Sequence, residues 1–205
     1  TGYEVAKQTG ISRSNAYNSL ASMTEKGAAY LVEEASTRKY VPVPLNEFCK
    51  NRIRKLEESG KWLQEHMPTE KAYVEGYITI EGAENILNKI KNLLSQVDQR
   101  VYISCTRNYL LLLIRELDTL MEERKKVVII TDQPATFHNA KVYFGENRGM
   151  QIGIIADSKY VLTGEYGEGS MNTCLYSGQK NFVELYKTAL ANEIKLLSIR
   201  EENKD

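Results

Sequence analysis

The sequence predicts an α+β multidomain chain: a winged helix-turn-helix, a long linker helix, and a C-terminal α/β domain with a mixed sheet. Three observations carry the prediction. Residues 1–44 run helix, glycine turn, helix and hairpin at short loop lengths. Leu45 to Met67 places an apolar stripe at helical spacing opposite a charged face. Beyond Tyr73, β-rich runs alternate with amphipathic helical stretches, as strand–helix crossovers require.

In the first segment, Tyr3 to Thr9 reads as a short amphipathic helix. Gly10 supplies the turn, Ile11 plugs the corner, and Ser12 caps a second helix that reaches Lys26. Ala16, Leu20 and Met23 form the inward face of that helix. Ser12, Arg13, Ser14, Asn15, Tyr17 and Asn18 are its outward groups, of types that bond phosphates and base edges in a major groove. Gly27 closes the helix. Tyr30 to Val32 and Tyr40 to Val43 then flank Ser36-Thr37-Arg38-Lys39, which is expected to be a basic wing tip, with Arg38 and Lys39 against the DNA backbone. A winged helix has a further helix packed on this corner, and an N-terminal segment supplying it is expected to precede Thr1.

Bulk properties narrow the partners. The 205 residues hold 27 basic and 27 acidic groups, so affinity for double-stranded DNA must come from a local patch. Lys7, Arg13, Lys26, Arg38 and Lys39 stand there against Glu4, Glu25, Glu33 and Glu34. So few cations imply modest affinity per copy, and hence a homodimer that gains from two half-sites. Cys49, Cys105 and Cys174 are widely spaced in apolar surroundings, with neither a disulfide framework nor zinc spacing. No metal or cofactor is expected, and a cytoplasmic setting fits. The run Leu110 to Ile114 is too short for a bilayer and reads as a helix buried on most sides; no membrane partner is expected.

Leu45 to Met67, stopped by Pro68, is expected to be one helix of the linker, residues 45–68. Leu45, Cys49, Ile53, Leu56, Gly60, Leu63 and Met67 make its stripe; Lys50, Arg54, Lys55, Glu57, Glu58 and Lys61 make the charged face. At 1.5 Å per residue it reaches roughly 33 Å, about one turn of B-DNA between half-sites. Packing on its own domain is the alternative to dimerisation.

Residues 69–205 form the α/β domain. Glu81 to Gln96 reads as a helix, Val101 to Ser104 as a buried strand, Tyr109 to Arg124 as a helix and Val127 to Thr131 as a second, parallel strand. Asp132 to Gly149 reads as a loop with one short strand at Val142 to Phe144. Gln151 to Ala156 and Tyr160 to Thr163 flank Asp157-Ser158-Lys159 as a hairpin. Thr173 to Tyr176 adds a strand, and Phe182 to Leu197 a closing helix.

Open α/β sheets bind ligands beyond the carboxyl ends of their strands. That rule selects Ser104, Cys105, Thr106 and Arg107, then Thr131, Asp132 and Gln133, with Asp157, Glu165, Ser170, Asn172 and Thr173 from later segments. The expected effector site is Ser104, Thr106, Arg107, Asp132, Asp157, Glu165, Ser170 and Asn172. Their donors and acceptors suit hydroxyls, and the one cation suits an acid group. Asp157, Glu165 and Glu168 cluster as either sugar contacts or a solvated turn. Gly164, Gly167 and Gly169 precede a strand rather than a helix, so no phosphate-cradling loop is present.

Thr1-Gly2-Tyr3-Glu4-Val5-Ala6, Ile11-Ser12-Arg13-Ser14-Asn15-Ala16-Tyr17, Lys26-Gly27 and Lys39-Tyr40-Val41-Pro42-Val43-Pro44 resemble the TrmB family of transcriptional regulators. The resemblance implies a winged helix, a coiled-coil linker and a phospholipase D-like effector domain, with transcription controlled by a sugar or another metabolite. It also raises an enzymatic question, because the phospholipase D superfamily uses His and Lys one residue apart, an Asp a few residues on, and a later Gly-Ser-x-Asn. Asp157 and Gly169-Ser170-Met171-Asn172 resemble the last two elements. Met150 and Ile152 occupy the His and Lys places, and neither can attack phosphorus or neutralise its oxygens. His66 and His138, in the linker and a loop, are the remaining histidines. The expectation is therefore a sequence-specific DNA-binding regulator controlled by a small metabolite, with no catalytic residues. The alternatives are a phospholipase D-type phosphodiesterase with a rearranged site and an interaction module without ligand.

Overall fold

The computed structural model describes residues 1–34, 37–67, 76–134, 137–145, 148–168 and 171–202. It divides into two compact units, Thr1–Lys71 and Ala72–Asp205. Among the described residues, no helix is long and apolar enough to cross a membrane.

The first unit opens with α1, Gly2–Thr9, capped by the Thr1 hydroxyl and by a reciprocal bond from Glu4. Gly10 ends it at φ 74°, the left-handed conformation that glycine adopts without cost. Helix α2, Arg13–Glu25, follows at once; the Asn15 N–H donates to the Ser12 hydroxyl at 3.2 Å. Gly27 lies past the cap residue Lys26 in the left-handed region, and the Ala28 N–H bonds back to the Met23 carbonyl. Ala6, Ala16, Leu20, Ala29 and Val43 form the small core. Met23 and Ile11 do not join it: both stay exposed, since a core of three alanines, Leu20 and Val43 is closed before it reaches them.

Strands β1, Ala29–Glu34, and β2, Thr37–Pro42, pair antiparallel with Glu33 opposite Arg38 and Glu34 opposite Thr37. Arg38 and Lys39 therefore stand on a strand, not at the hairpin tip, because the β-branched and aromatic run extends the ladder past Tyr40. Ser36, expected at the tip, lies outside the described residues. Helix α3, Leu45–His66, has no buried residue at all; Pro68 and Tyr73 lie outside the described residues.

The second unit is a three-layer α/β/α sandwich. Its sheet has the order β3-β9-β8-β7-β4-β5-β6. The strands are β3 Tyr77–Glu81, β4 Arg100–Ser104, β5 Lys126–Thr131, β6 Ala140–Phe144, β7 Gln151–Ala156, β8 Tyr160–Glu165 and β9 Thr173–Ser177. β4, β5 and β6 are parallel; every other neighbouring pair is antiparallel. Helices α4, Ala83–Ser95, and α6, Ile114–Glu122, cover one face through Ile86, Ile90, Leu94 and Leu117 packed on Val101, Ile103, Ile129 and Ile154. Helix α7, Lys180–Glu202, covers the other through Val183, Leu190 and Leu197 on Val128, Ile130, Tyr143 and Ile155. Odd and even strand residues thus serve separate cores, as the two-residue period demands.

Two elements differ from the expectation. β3 occupies residues assigned to no strand. Tyr109 to Arg124 is not one helix: α5, Arg107–Leu111, and α6 are separated at Leu112 and Leu113. The leucine run is accordingly half in and half out, with Leu110 and Leu113 buried but Leu111, Leu112 and Ile114 exposed.

Candidate nucleic-acid interface and ligand edge

The outward face of α2 follows from its packing. Ala16 and Leu20 point inward, so Ser12, Arg13, Ser14, Asn15, Tyr17 and Asn18 are all exposed on the first two turns. Two of them are already held. The Arg13 guanidinium lies 4.5 Å from the centre of the Tyr3 ring, and the Tyr17 ring lies against Gly2, where a Cβ would meet its Cε1 at 2.6 Å. The Ser12 oxygen is committed to capping, which leaves its hydroxyl hydrogen to donate outward. On the hairpin, Arg38 donates from Nε to Glu33 at 3.1 Å. Its charge is thereby partly cancelled in the free protein.

The expected ligand residues separate into two groups. Because β4, β5 and β8 run the same way, their carboxyl ends share one edge of the sheet with the start of β9. Ser104, Thr106, Arg107, Asp132, Glu165 and Asn172 stand along it. Asp132 accepts from the Arg107 backbone N–H at 2.8 Å and, more loosely, from the Thr131 hydroxyl. Asn172 accepts from the Gly167 N–H at 2.8 Å. Asp132 and Glu165 are three strand spacings apart, roughly 14 Å, so they bracket the edge rather than touch. Ser170 lies outside the described residues.

Asp157 is at the other edge. β7 runs antiparallel to β4, so its carboxyl end points away from the edge that holds Ser104 and Asp132. There the carboxylate accepts from the backbone N–H groups of Asp98, Gln99 and Arg100 at 2.8, 2.8 and 2.9 Å. Burial raises its pKa, but the three backbone donors outweigh burial, with help from Lys159, and hold the carboxyl below its usual range. A depressed native value stabilises the fold above the unfolded pKa of ~4, and that contribution is lost as pH falls through the native value. Asp157→Asn should cost about 1–3 kcal/mol at pH 7, and the gap to the parent should narrow below about pH 4. Urea midpoints at both pH values measure this; an equal gap at pH 7 and pH 3 would refute the clamp.

The sequence did not single out Arg148. Its side chain is 10% exposed; Nη1 donates to the Ser104 hydroxyl at 2.6 Å and Nη2 pairs with Glu193 of α7. It therefore ties the strand-end edge at Ser104 to the helix behind it. Cys105 beside it is no nucleophile: burial foremost, and then the Asp132 charge, push its thiol up to about 12. Ile152 is packed in the core and Met150 is partly exposed at the start of β7. His138 stands just before β6, at the edge opposite Met150, and His66 is stacked on Trp62 of α3.

Residues 1–46 match the family described as sugar-specific transcriptional regulator TrmB. The uncharacterized protein YrhO of Bacillus subtilis is 31% identical over 147 residues, 70% of this chain; the chain spans 53% of that protein's length. TrmBL2, described as an archaeal chromatin protein with a novel mode of DNA binding, superposes with a TM-score of 0.52 over 95% of this chain and 86% of its own, at 17% identity. Nuc, a phospholipase D family member from Salmonella typhimurium, gives a TM-score of 0.45 over 57% of this chain and 92% of its own, at 10% identity. Residues 1–46 therefore carry the match to the TrmB family, and the chain has the fold seen in TrmBL2.

Proposed function

We propose that the protein is a sequence-specific transcription regulator that binds duplex DNA as a homodimer through α2 and the β1–β2 hairpin, residues 1–44. In this reading α3 is the dimerising linker of residues 45–68, and residues 69–205 sense a small polar metabolite, a sugar among the candidates. The observation that carries it is the exposed first face of α2, set by a capped helix-turn-helix corner inside a TrmB-family match. The polar strand-end edge supports the sensor: Arg107, Asp132 and Glu165 offer a cation and acceptors to hydroxyls or an acid group. A chromatin protein of the same fold supports DNA as the partner. The Met150 and Ile152 side chains supply neither nucleophile nor cation, which favours regulation over hydrolysis.

An operator selected from a random duplex library supplies the test. Arg13→Ala or Asn15→Ala should weaken binding by about 1–3 kcal/mol and relax the base preference. Lys39→Ala should weaken all sequences alike and flatten the salt dependence. Gel shifts in which both Arg13→Ala and Asn15→Ala bind as the parent does would remove α2 from the interface.

A further inference from the structure

Below the α7 core, at the sheet edge opposite the strand-end residues, lies a cleft of about 400 Å³ between α7 and β4, β5 and β6. Its polar lining is one-sided. Arg100, Lys126, Lys141 and Lys187 face it, and among the described residues no carboxylate lines it. The register explains how cations far apart in sequence meet: Arg100 is directly opposite Lys126 on parallel strands, and Lys141 is opposite Val128 on the next strand. Lys187 comes from the helix across the cleft, where it pairs with Glu184 at 2.8 Å.

The cations are also positioned. The Lys126 ammonium lies 5.8 Å from the centre of the Tyr102 ring and that of Lys141 lies 4.9 Å from the centre of the Tyr143 ring. Two rings in the wall thus hold two charges over one concavity. Like charges directly opposite on neighbouring strands destabilise a sheet. A surface needing only solubility would alternate signs, whereas here four cations from four different elements line one concavity. The volume falls within the ~300–1,000 Å³ of small-molecule sites, and a recess between helix and sheet admits a small anion more readily than a duplex. Lysines bind phosphate as point charges without a fixed fork.

We propose that this cleft binds a small phosphate-bearing metabolite, with Arg100, Lys126 and Lys141 on the phosphate and Tyr102 and Tyr143 against the rest. The site goes beyond the sensor reading above, from which it is separated by the length of the sheet, and it stands whether or not the chain binds DNA.

Calorimetric titration of the full chain with inorganic phosphate, glucose 6-phosphate and glucose tests it. Phosphate and glucose 6-phosphate should bind and glucose should not. The double variant K126Q/K141Q should lose about tenfold or more in affinity for both anions. Its circular dichroism spectrum should match the parent's, so that the loss reads binding and not unfolding. Arg107→Ala, at the other edge, should bind glucose 6-phosphate as the parent does. Equal affinity in parent and double variant, loss in Arg107→Ala, or no binding of either anion would overturn the proposal. So would displacement of glucose 6-phosphate by a short DNA duplex, which would give the cleft to a nucleic-acid backbone.

Discussion

Leu56→Glu should turn the protein into a monomer and lower its apparent operator affinity on the order of 10²-fold or more, because two tethered half-site contacts become one. The reason lies in α3. None of its residues is buried in the single chain, and Leu56 is 75% exposed. Cys49, Ile53, Leu56, Gly60, Leu63 and Met67 follow one another at intervals of four, three, four, three and four, which keeps one seam facing a partner helix in a left-handed coiled coil. A 22-residue helix with that seam open to water has the surface that the proposed second copy would cover. The substitution would bring one carboxylate from each protomer into the seam, and each would lose hydration without a counter-charge. Glu57→Lys, on the charged face, should leave the assembly intact. Sedimentation equilibrium that finds the Leu56→Glu protein dimeric would move the interface off this helix.

Gly164→Ala should be the most damaging small substitution in the α/β unit. Gly164 on β8 is opposite Cys174 on β9, and a Cβ there would sit 2.7 Å from the Cys174 Cα and run into the Thr173 carbonyl oxygen. Both obstacles are backbone, so relief requires β8 and β9 to part. A loss of about 3 kcal/mol or more is expected, a large share of ordinary domain stability. Gly153→Ala is the control, since the nearest atoms belong to the Tyr186 side chain, which can turn aside at the expense of its 2.7 Å bond with the Thr163 hydroxyl. Urea unfolding should rank Gly164→Ala well below Gly153→Ala. Equal midpoints would show that the strands at β8–β9 can separate at little cost.

What the sequence revealed depended on whether the signal was local. Ser12 and Gly10 mark α2 because caps are decided by one or two residues. Val127 to Thr131 announces a buried parallel strand because both its faces meet helices. The break between α5 and α6 was hidden, since a run of leucines has no periodicity to interrupt. β3 was hidden too, because its short alternation, Ile78-Thr79-Ile80-Glu81, runs almost directly into the helical pattern of α4. The strand-end rule gathered six of its eight candidates onto one edge, but it misplaced Asp157 because strand direction is set by the partner strand and not by the strand's own residues. Arg148 and the four cations of the cleft could not be seen at all. Their proximity is a product of register between strands that lie tens of residues apart.

The α/β unit joins its beginning to its end: among the described strands, β3, the first of the unit, is hydrogen-bonded only to β9, the last, with Tyr77 opposite Ser177, a separation of 100 residues. During synthesis, β3 leaves the ribosome long before the strand it needs. At ~5–20 residues per second, Ile78 and Ile80 wait on the order of ten seconds for a partner. The first unit has no such delay, since β1 and β2 follow each other directly and pair at once. Nascent chains should therefore carry a finished winged helix well before the α/β unit closes. An unpaired apolar strand awaiting its mate is where misassembly between neighbouring chains would start, and a chaperone that shields residues 77–81 would raise the yield of folded protein more than one that acts later.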